Sequence, residues 1–139
     1  MPSVCLAWSG KVVGISDGDT ITVLKGTAPV KIMLYGIECP ERGQAFGKKA
    51  KQFTSDMVFR KHVKIEPVDK DRYGRIVAWV YVDDKNLCEE LVRAGLAWHY
   101  KKYSSHQSLA DLEIQAQRKK IGLWSDPRPV PPWAYRRRR

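Results

Sequence analysis

The spacing of apolar residues changes partway along this chain, and that change restricts the fold more than any other feature. From Val12 to Tyr35 the sequence is β-rich in short pieces, whereas from Gln44 to Arg60 its apolar period is helical. Val12 to Ser16 is one piece, closed by Asp17-Gly18-Asp19. Thr20 to Leu24 reads as a second strand and Val30 to Tyr35 as a third. Lys25 to Pro29 is the turn between them, because Gly26 and Pro29 favour one. On the third strand Val30, Ile32 and Leu34 share one face, and Lys31, Met33 and Tyr35 the other. Phe46, Ala50, Phe53 and Met57 then recur at helical spacing, with Lys48, Lys49 and Lys51 mostly off that stripe. Val63 to Glu66 and Ile76 to Val82 return to strand. Asn86 and Glu89 suit the capped start of a short helix through Ala94, stopped by Gly95, and a third helix runs from about Ser108 to Lys120. Three strands, a helix, two strands and two helices make an α+β chain. That order is compatible with a small Greek-key barrel carrying packed helices, although the pattern does not fix the topology.

A length of 139 residues suits one domain with one core, and 43% apolar residues suffice to fill it. Lysine and arginine outnumber acids 25 to 15, a formal charge of +10. Such a surface favours a polyanion such as nucleic acid, DNA or RNA, and attracts a membrane face as well. No apolar run approaches the ~20 residues that span a bilayer, so stable membrane insertion is not expected. No protein partner is expected, and the chain reads as a monomer. The three cysteines form no Cys-x-x-Cys or Cys/His cluster for zinc. Cys39 and Cys88 read first as buried thiols, with a disulfide as the alternative.

Residues 1–11 form an N-terminal segment in which Cys5-Leu6-Ala7, followed by Trp8, has the small residues of a secretory cleavage site. A residual signal peptide, which implies a secreted or periplasmic protein, stands beside a simple native start. Residues 12–125 are the expected domain and 126–139 a Pro/Arg-rich tail. Pro127, Pro129, Pro131 and Pro132 prevent the preceding helix from continuing. Arg136 to Arg139 read first as a solvated, mobile end, with a contact to nucleic acid as the alternative.

Asp17-Gly18-Asp19-Thr20 is by itself a common turn former. A hairpin centred near Thr27 and Ala28 gives it more meaning, because it sets Asp19 beside Ile37 and Glu38, with Glu41 three residues further on. Three carboxylates, Asp19, Glu38 and Glu41, then converge at two strand ends, and acids that close repel unless a cation or hydrogen bonds compensate. Hard oxygen ligands of this kind suit Ca²⁺ or Mg²⁺; a polar rim of unrelated turn residues is the plain alternative. Asp71-Arg72-Tyr73-Gly74-Arg75 is first a hairpin connection. Yet Arg75 at a strand start can offer a planar fork to phosphate, Arg72 adds charge, and Tyr73 can stack on a base. A metal site beside a phosphate-binding arginine is the equipment of metal-assisted phosphodiester hydrolysis.

In this order these residues resemble the staphylococcal nuclease (thermonuclease) family. The matching landmarks are Asp17-Gly18-Asp19-Thr20, the run from Leu34 to Glu41, Asp71 to Arg75, Leu91 to Ala97 and Gly122-Leu123-Trp124, spanning about Val12 to Trp124. The resemblance implies a five-stranded OB-fold β-barrel with three packed helices, and a Ca²⁺-dependent nuclease that acts on DNA and RNA and leaves 3′-phosphate ends. It implies that Asp19, Glu38 and the Cys39 backbone carbonyl ligate Ca²⁺, with Asp17 acting through water. Glu41 is then the general base, Arg75 binds the phosphate, and Arg72, Tyr73 and Tyr100 hold the flanking nucleotide. Two positions depart from the family: Glu38 stands where aspartate is usual, and Met33 where the family places a second phosphate-binding arginine. Lys31, two residues earlier on the same face, is a candidate to compensate as a point charge. The loop from Glu41 to Phe46 is shorter than in the founding enzyme. Met33 also supports an alternative, an OB-fold nucleic-acid-binding module whose catalysis has decayed. His62, His99 and His106 offer no competing mechanism, and Trp79, Trp98 and Trp124 read as packing residues.

Overall fold

The computed structural model describes residues 6–102 and 104–138, without the side chain of Arg138. Cys5, in the expected cleavage site, lies outside the described residues. Five strands form a closed barrel: β1 (Trp8–Asp17), β2 (Thr20–Lys25), β3 (Ala28–Leu34), β5 (His62–Lys70) and β6 (Ile76–Val82). Their order is β3-β2-β1-β5-β6, and β6 returns to β3 as the single parallel pairing among them. β1 serves both halves: Trp8 to Lys11 pair with β5, while Val12 to Asp17 pair with β2 through two register shifts that bend the strand. Alternation fills the interior with Val12, Ile21, Val23, Ile32, Leu34, Val63, Ile65, Ala78 and Val80, all buried. The OB-fold α+β class implied by the resemblance is therefore the architecture of this chain.

The β2–β3 register differs from the expected one. Lys25 pairs with Ala28 and Thr20 with Met33, so the loop is only Gly26-Thr27, and Pro29 belongs to the strand opposite Leu24. Gly26 takes φ 63°, the positive angle that a two-residue hairpin favours at its first central position. Asp19 consequently faces Leu34, whose N–H it accepts at 2.9 Å, and not Ile37 or Glu38. The chain reaches Glu38 by a further turn at Tyr35-Gly36 into β4 (Ile37–Glu38), which pairs with β8 (Trp98–His99).

The first helix, α1 (Gly47–Val58), is shorter than the helical-period stretch from Gln44 to Arg60, because Phe46 and Arg60 flanking it adopt left-handed φ of 70° and 66°. Ala50 is buried, and Phe46, Phe53 and Met57 pack against the core. β7 (Lys85–Asn86) leads into α2 (Leu87–Arg93), whose N-cap Asn86 accepts the Glu89 N–H at 3.3 Å. α3 (Gln107–Lys119) ends at Lys120 with φ 53°. Cys39 and Cys88 are buried free thiols. No helix among the described residues is long and apolar enough to cross a membrane.

The tail is where expectation and structure part most clearly. The preceding helix already ends at Lys120, before any of the prolines, and Pro132 then begins a fourth helix, α4 (Pro132–Arg138), at the position where a missing N–H costs nothing. Trp133 holds this helix down, its ring 5.7 Å from Trp98 and 5.1 Å from Tyr100. The Gln44 side-chain amide donates to the Val130 carbonyl just before it.

Candidate active site

The turn Asp17-Gly18-Asp19 is fixed from two sides. Thr54 on α1 donates its hydroxyl to the Gly18 carbonyl at 2.6 Å, and a Cβ on Gly18 would stand 2.9 Å from both Ala50 Cβ and Cys39 Sγ. Only glycine allows helix, turn and the β4 exit to approach this closely. Asp19 accepts the Cys39 N–H on Oδ2 at 2.9 Å and the Thr20 hydroxyl on Oδ1 at 3.2 Å. Burial pushes its carboxyl up to about 6; the Cys39 N–H opposes that rise, and the charges of Glu38 and Asp17 add to it. Burial and the charge of Asp19 push the Cys39 thiol well above its ordinary value. Its sulfur therefore stays protonated, and the carbonyl is the group Cys39 can offer to a cation.

Glu38 and Glu41 meet on one nitrogen. Arg136 Nη1, from α4, donates to Glu38 Oε1 at 3.0 Å and to Glu41 Oε2 at 2.5 Å. Glu41 is held in turn by its loop: its N–H donates to Gln44 Oε1 at 3.0 Å, and its carbonyl accepts the Gln44 N–H at 2.8 Å. No group of three or more His, Cys, Asp or Glu among the described residues is arranged to enclose an ion.

The cationic side lies across the barrel closure. Thr20, next to Asp19, pairs with Met33, and Met33 pairs with Val77. The same register sets Lys31 beside Arg75, each preceding the Ile32–Ile76 pair, with Lys31, Met33 and Val77 on the outer face. Arg75 is oriented by Asp71, which accepts its Nε at 2.6 Å and its N–H at 2.9 Å. Desolvation opposes the effect, but these bonds and the Tyr73 N–H hold the Asp71 carboxyl below its usual range. The exposed Tyr73 ring lies under both guanidinium groups, 5.8 Å from Arg72 and 5.4 Å from Arg75. Tyr100 is set apart from this group, against Trp133.

Residues 31–126 match the family profile described as staphylococcal nuclease homologue. An uncharacterized endonuclease from Haemophilus influenzae is 45% identical over 128 residues, 91% of this chain and 72% of its own length. A second uncharacterized endonuclease, from Escherichia coli, is 40% identical over 99% of this chain and 91% of its own. A micrococcal nuclease from Shigella flexneri is 38% identical over 94% of this chain and 83% of its own. The chain belongs to the staphylococcal nuclease homologue family.

Within the span matched to the staphylococcal nuclease homologue profile fall Lys31, Glu38, Cys39, Glu41, Arg72, Tyr73, Arg75 and Tyr100; Asp17 and Asp19 precede it and Arg136 follows it. The sequence reads Arg136 as part of a solvated tail, with a nucleic-acid contact as the alternative, and does not set it against Glu38 and Glu41, where the structure places it. The available signal was Trp133, a large apolar residue inside an otherwise solvated tail. The donor chemistry suits Ca²⁺, being hard oxygen from Asp19, Glu38 and a carbonyl. The place also accepts positive charge, since a guanidinium already bridges Glu38 and Glu41.

Proposed function

We propose that this member of the family is a Ca²⁺-dependent nuclease that hydrolyses phosphodiester bonds of DNA and RNA to 3′-phosphate ends. One observation carries the reading: an all-oxygen acidic group, Asp19, Glu38 and Glu41, adjoins a strand face on which Lys31 and Arg75 lie side by side. The endonuclease and micrococcal nuclease relatives and the charge of +10 support it further.

Asp19, Glu38 and the Cys39 carbonyl are the groups that would hold Ca²⁺, with Asp17 reaching it through water. Bound there, the ion supplies Lewis-acid polarisation of the phosphate and a template for the attacking water. Glu41 accepts the proton of that water as its oxygen bonds to phosphorus. The bond from phosphorus to the 5′ oxygen breaks, the departing oxygen takes a proton from solvent, and the phosphate stays on the 3′ side. Arg75, its Nε pinned by Asp71, presents its terminal nitrogens to the phosphate and stabilises the charge on five-coordinate phosphorus. Lys31 adds a point charge where Met33 contributes none. Arg72, Tyr73 and Tyr100 hold the flanking nucleotide, and the exposed Arg42, Lys48 and Lys49 continue the basic track beside Glu41.

Cleavage of a labelled single-stranded DNA in Ca²⁺, in EDTA, and by Glu41→Ala in Ca²⁺ tests the reading. Cleavage that requires Ca²⁺ and collapses in the variant is the expected result. Salt-sensitive binding without cleavage would indicate a decayed binding module, and Met33→Arg would then reveal whether that position silenced it.

A further inference from the structure

The geometry points to Arg136 as a phosphate-binding residue of this active site, one that supplies from α4 the guanidinium that Met33 lacks on β3. The inference rests on the nuclease reading, and four observations lead to it.

The first is position. Arg136 Nη1 is 2.5 Å from Glu41 Oε2 and 3.0 Å from Glu38 Oε1. If Glu41 holds the attacking water, phosphorus must come within about 3–3.5 Å of that water for the bond to form. A phosphate so placed adjoins the guanidinium, and exchanging one carboxylate bond for one phosphate bond is enough to join them.

The second is donor capacity. A guanidinium carries five N–H donors in a flat fork, and both carboxylate bonds leave from Nη1. Among the described residues Nε and Nη2 make no hydrogen bond, and 42% of the side chain is exposed. The fork that remains has the shape that suits two oxygens of a phosphate.

The third is that the arginine is presented by a built element. Trp133 packs on Trp98 and Tyr100, and Gln44 ties its amide to the Val130 carbonyl. The Tyr135 hydroxyl lies 2.8 Å from where a Cβ on Gly43 would stand. These contacts fasten α4 to the loop that carries Glu41, so the arginine and the base are held in one frame. Arg137, the next residue, is exposed.

The fourth is need. On the strand face Arg75 and Lys31 are the two cations, and the side chain between their level and the acids is Met33, which donates nothing. The same contacts also allow Arg136 to be a lock that neutralises the acids and must leave before catalysis; the two roles predict opposite signs.

The experiment compares wild type, Arg136→Ala, Arg136→Lys and Arg137→Ala for kcat and KM on single-stranded DNA in Ca²⁺. Calorimetric binding of thymidine 3′,5′-bisphosphate and tryptophan emission, which reports the docking of Trp133, accompany it. Expected are a fall of about 10²–10³ in kcat for Arg136→Ala, partial recovery with lysine, and a rate within about twofold of wild type for Arg137→Ala, a change outside the oriented donors. Added ethylguanidinium is expected to restore part of the Arg136→Ala rate, which a purely structural role would not allow. An Arg136→Ala enzyme as fast as wild type or faster overturns the inference and identifies a lock. A slow variant that guanidinium does not rescue and that keeps its bisphosphate affinity overturns it as well. A wild type unable to cleave would remove the nuclease reading itself. Bisphosphate affinity would then decide Arg136 alone, and an affinity unchanged in Arg136→Ala would overturn the assignment.

Discussion

Replacing Asp19 by asparagine separates what this carboxylate costs the fold from what it contributes to the site. Its carboxyl is pushed up from 3.8 to about 6, by burial first, with the Glu38 and Asp17 charges adding and the Cys39 N–H offsetting part. Between those two pH values the folded chain holds more protons than the unfolded one, so stability falls as pH rises through that window. The penalty is absent below 3.8 and complete above about 6. A displacement of that size corresponds to about 3 kcal/mol at pH 7. Asparagine keeps a carbonyl oxygen for the Cys39 N–H and carries no charge. Asp19→Asn is therefore expected to be more stable than wild type by about 2–3 kcal/mol at pH 7 in EDTA. The gain should shrink from pH 6 to pH 4 and vanish below that. Urea denaturation at intervals across this range measures it. A gain that does not vary with pH, or a wild type more stable than the variant at pH 7, would refute the reasoning. Adding Ca²⁺ should stabilise wild type and not the variant, because only a species that binds the ion gains from it. Stability is thus expected to be sacrificed for a charged ligand at the turn that α1 and Cys39 hold most tightly.

Three further outcomes follow from the structure. Glu113, 2% exposed, accepts the His99 N–H at 2.8 Å and Lys101 Nζ at 3.1 Å. Glu113→Ala should cost about 1–3 kcal/mol in urea denaturation by stranding that buried N–H, with Glu113→Gln retaining most of it. Gly18→Ala should destabilise by about 1–3 kcal/mol, since its Cβ meets Ala50 and Cys39 Sγ at 2.9 Å; an undiminished denaturation midpoint would show that α1 yields easily. Affinity for single-stranded DNA should fall with salt at a log–log slope near −0.7 per phosphate neutralised, and fluorescence anisotropy that ignores salt would exclude a basic track.

Most of the barrel was legible because its signals are local. Ile32 and Leu34 alternate with Lys31 and Met33 on β3, Ile76–Val82 was read to the residue, and Asn86 announced its own cap. The β2–β3 register was not, because Pro29 was counted as turn material although a proline opposite Leu24 near the start of β3 is equally acceptable to the chain. The expected register sets Asp19 beside Glu38 in the ladder; the observed one sets it opposite Leu34, and the two carboxylates come near each other through the Tyr35-Gly36 turn into β4 instead. The tail was illegible for a different reason. Seven residues beginning with proline and ending in arginines have little intrinsic drive to form a helix. What orders Pro132–Arg138 is the aromatic surface of Trp98 and Tyr100, two residues that only the β4–β8 pairing brings to that end of the barrel.

The parallel closure of β3 on β6 explains how such a small barrel sets the two cations and the acidic turn of the proposed site on one surface. An antiparallel ladder sets the start of one strand against the end of its neighbour, whereas a parallel pair aligns the starts. Because β3 and β6 run in the same direction, Lys31 and Arg75 come abreast although 43 residues separate them in the chain. β2, antiparallel to β3, then delivers Asp19 to the far end of the same short face, beside Met33 and Leu34. Asp19 and the two cations are thereby set a few residues apart on one surface. Arg136, arriving from outside the barrel, pairs with both Glu38 and Glu41. It reaches them from a helix that Trp133 packs on Trp98 and Tyr100.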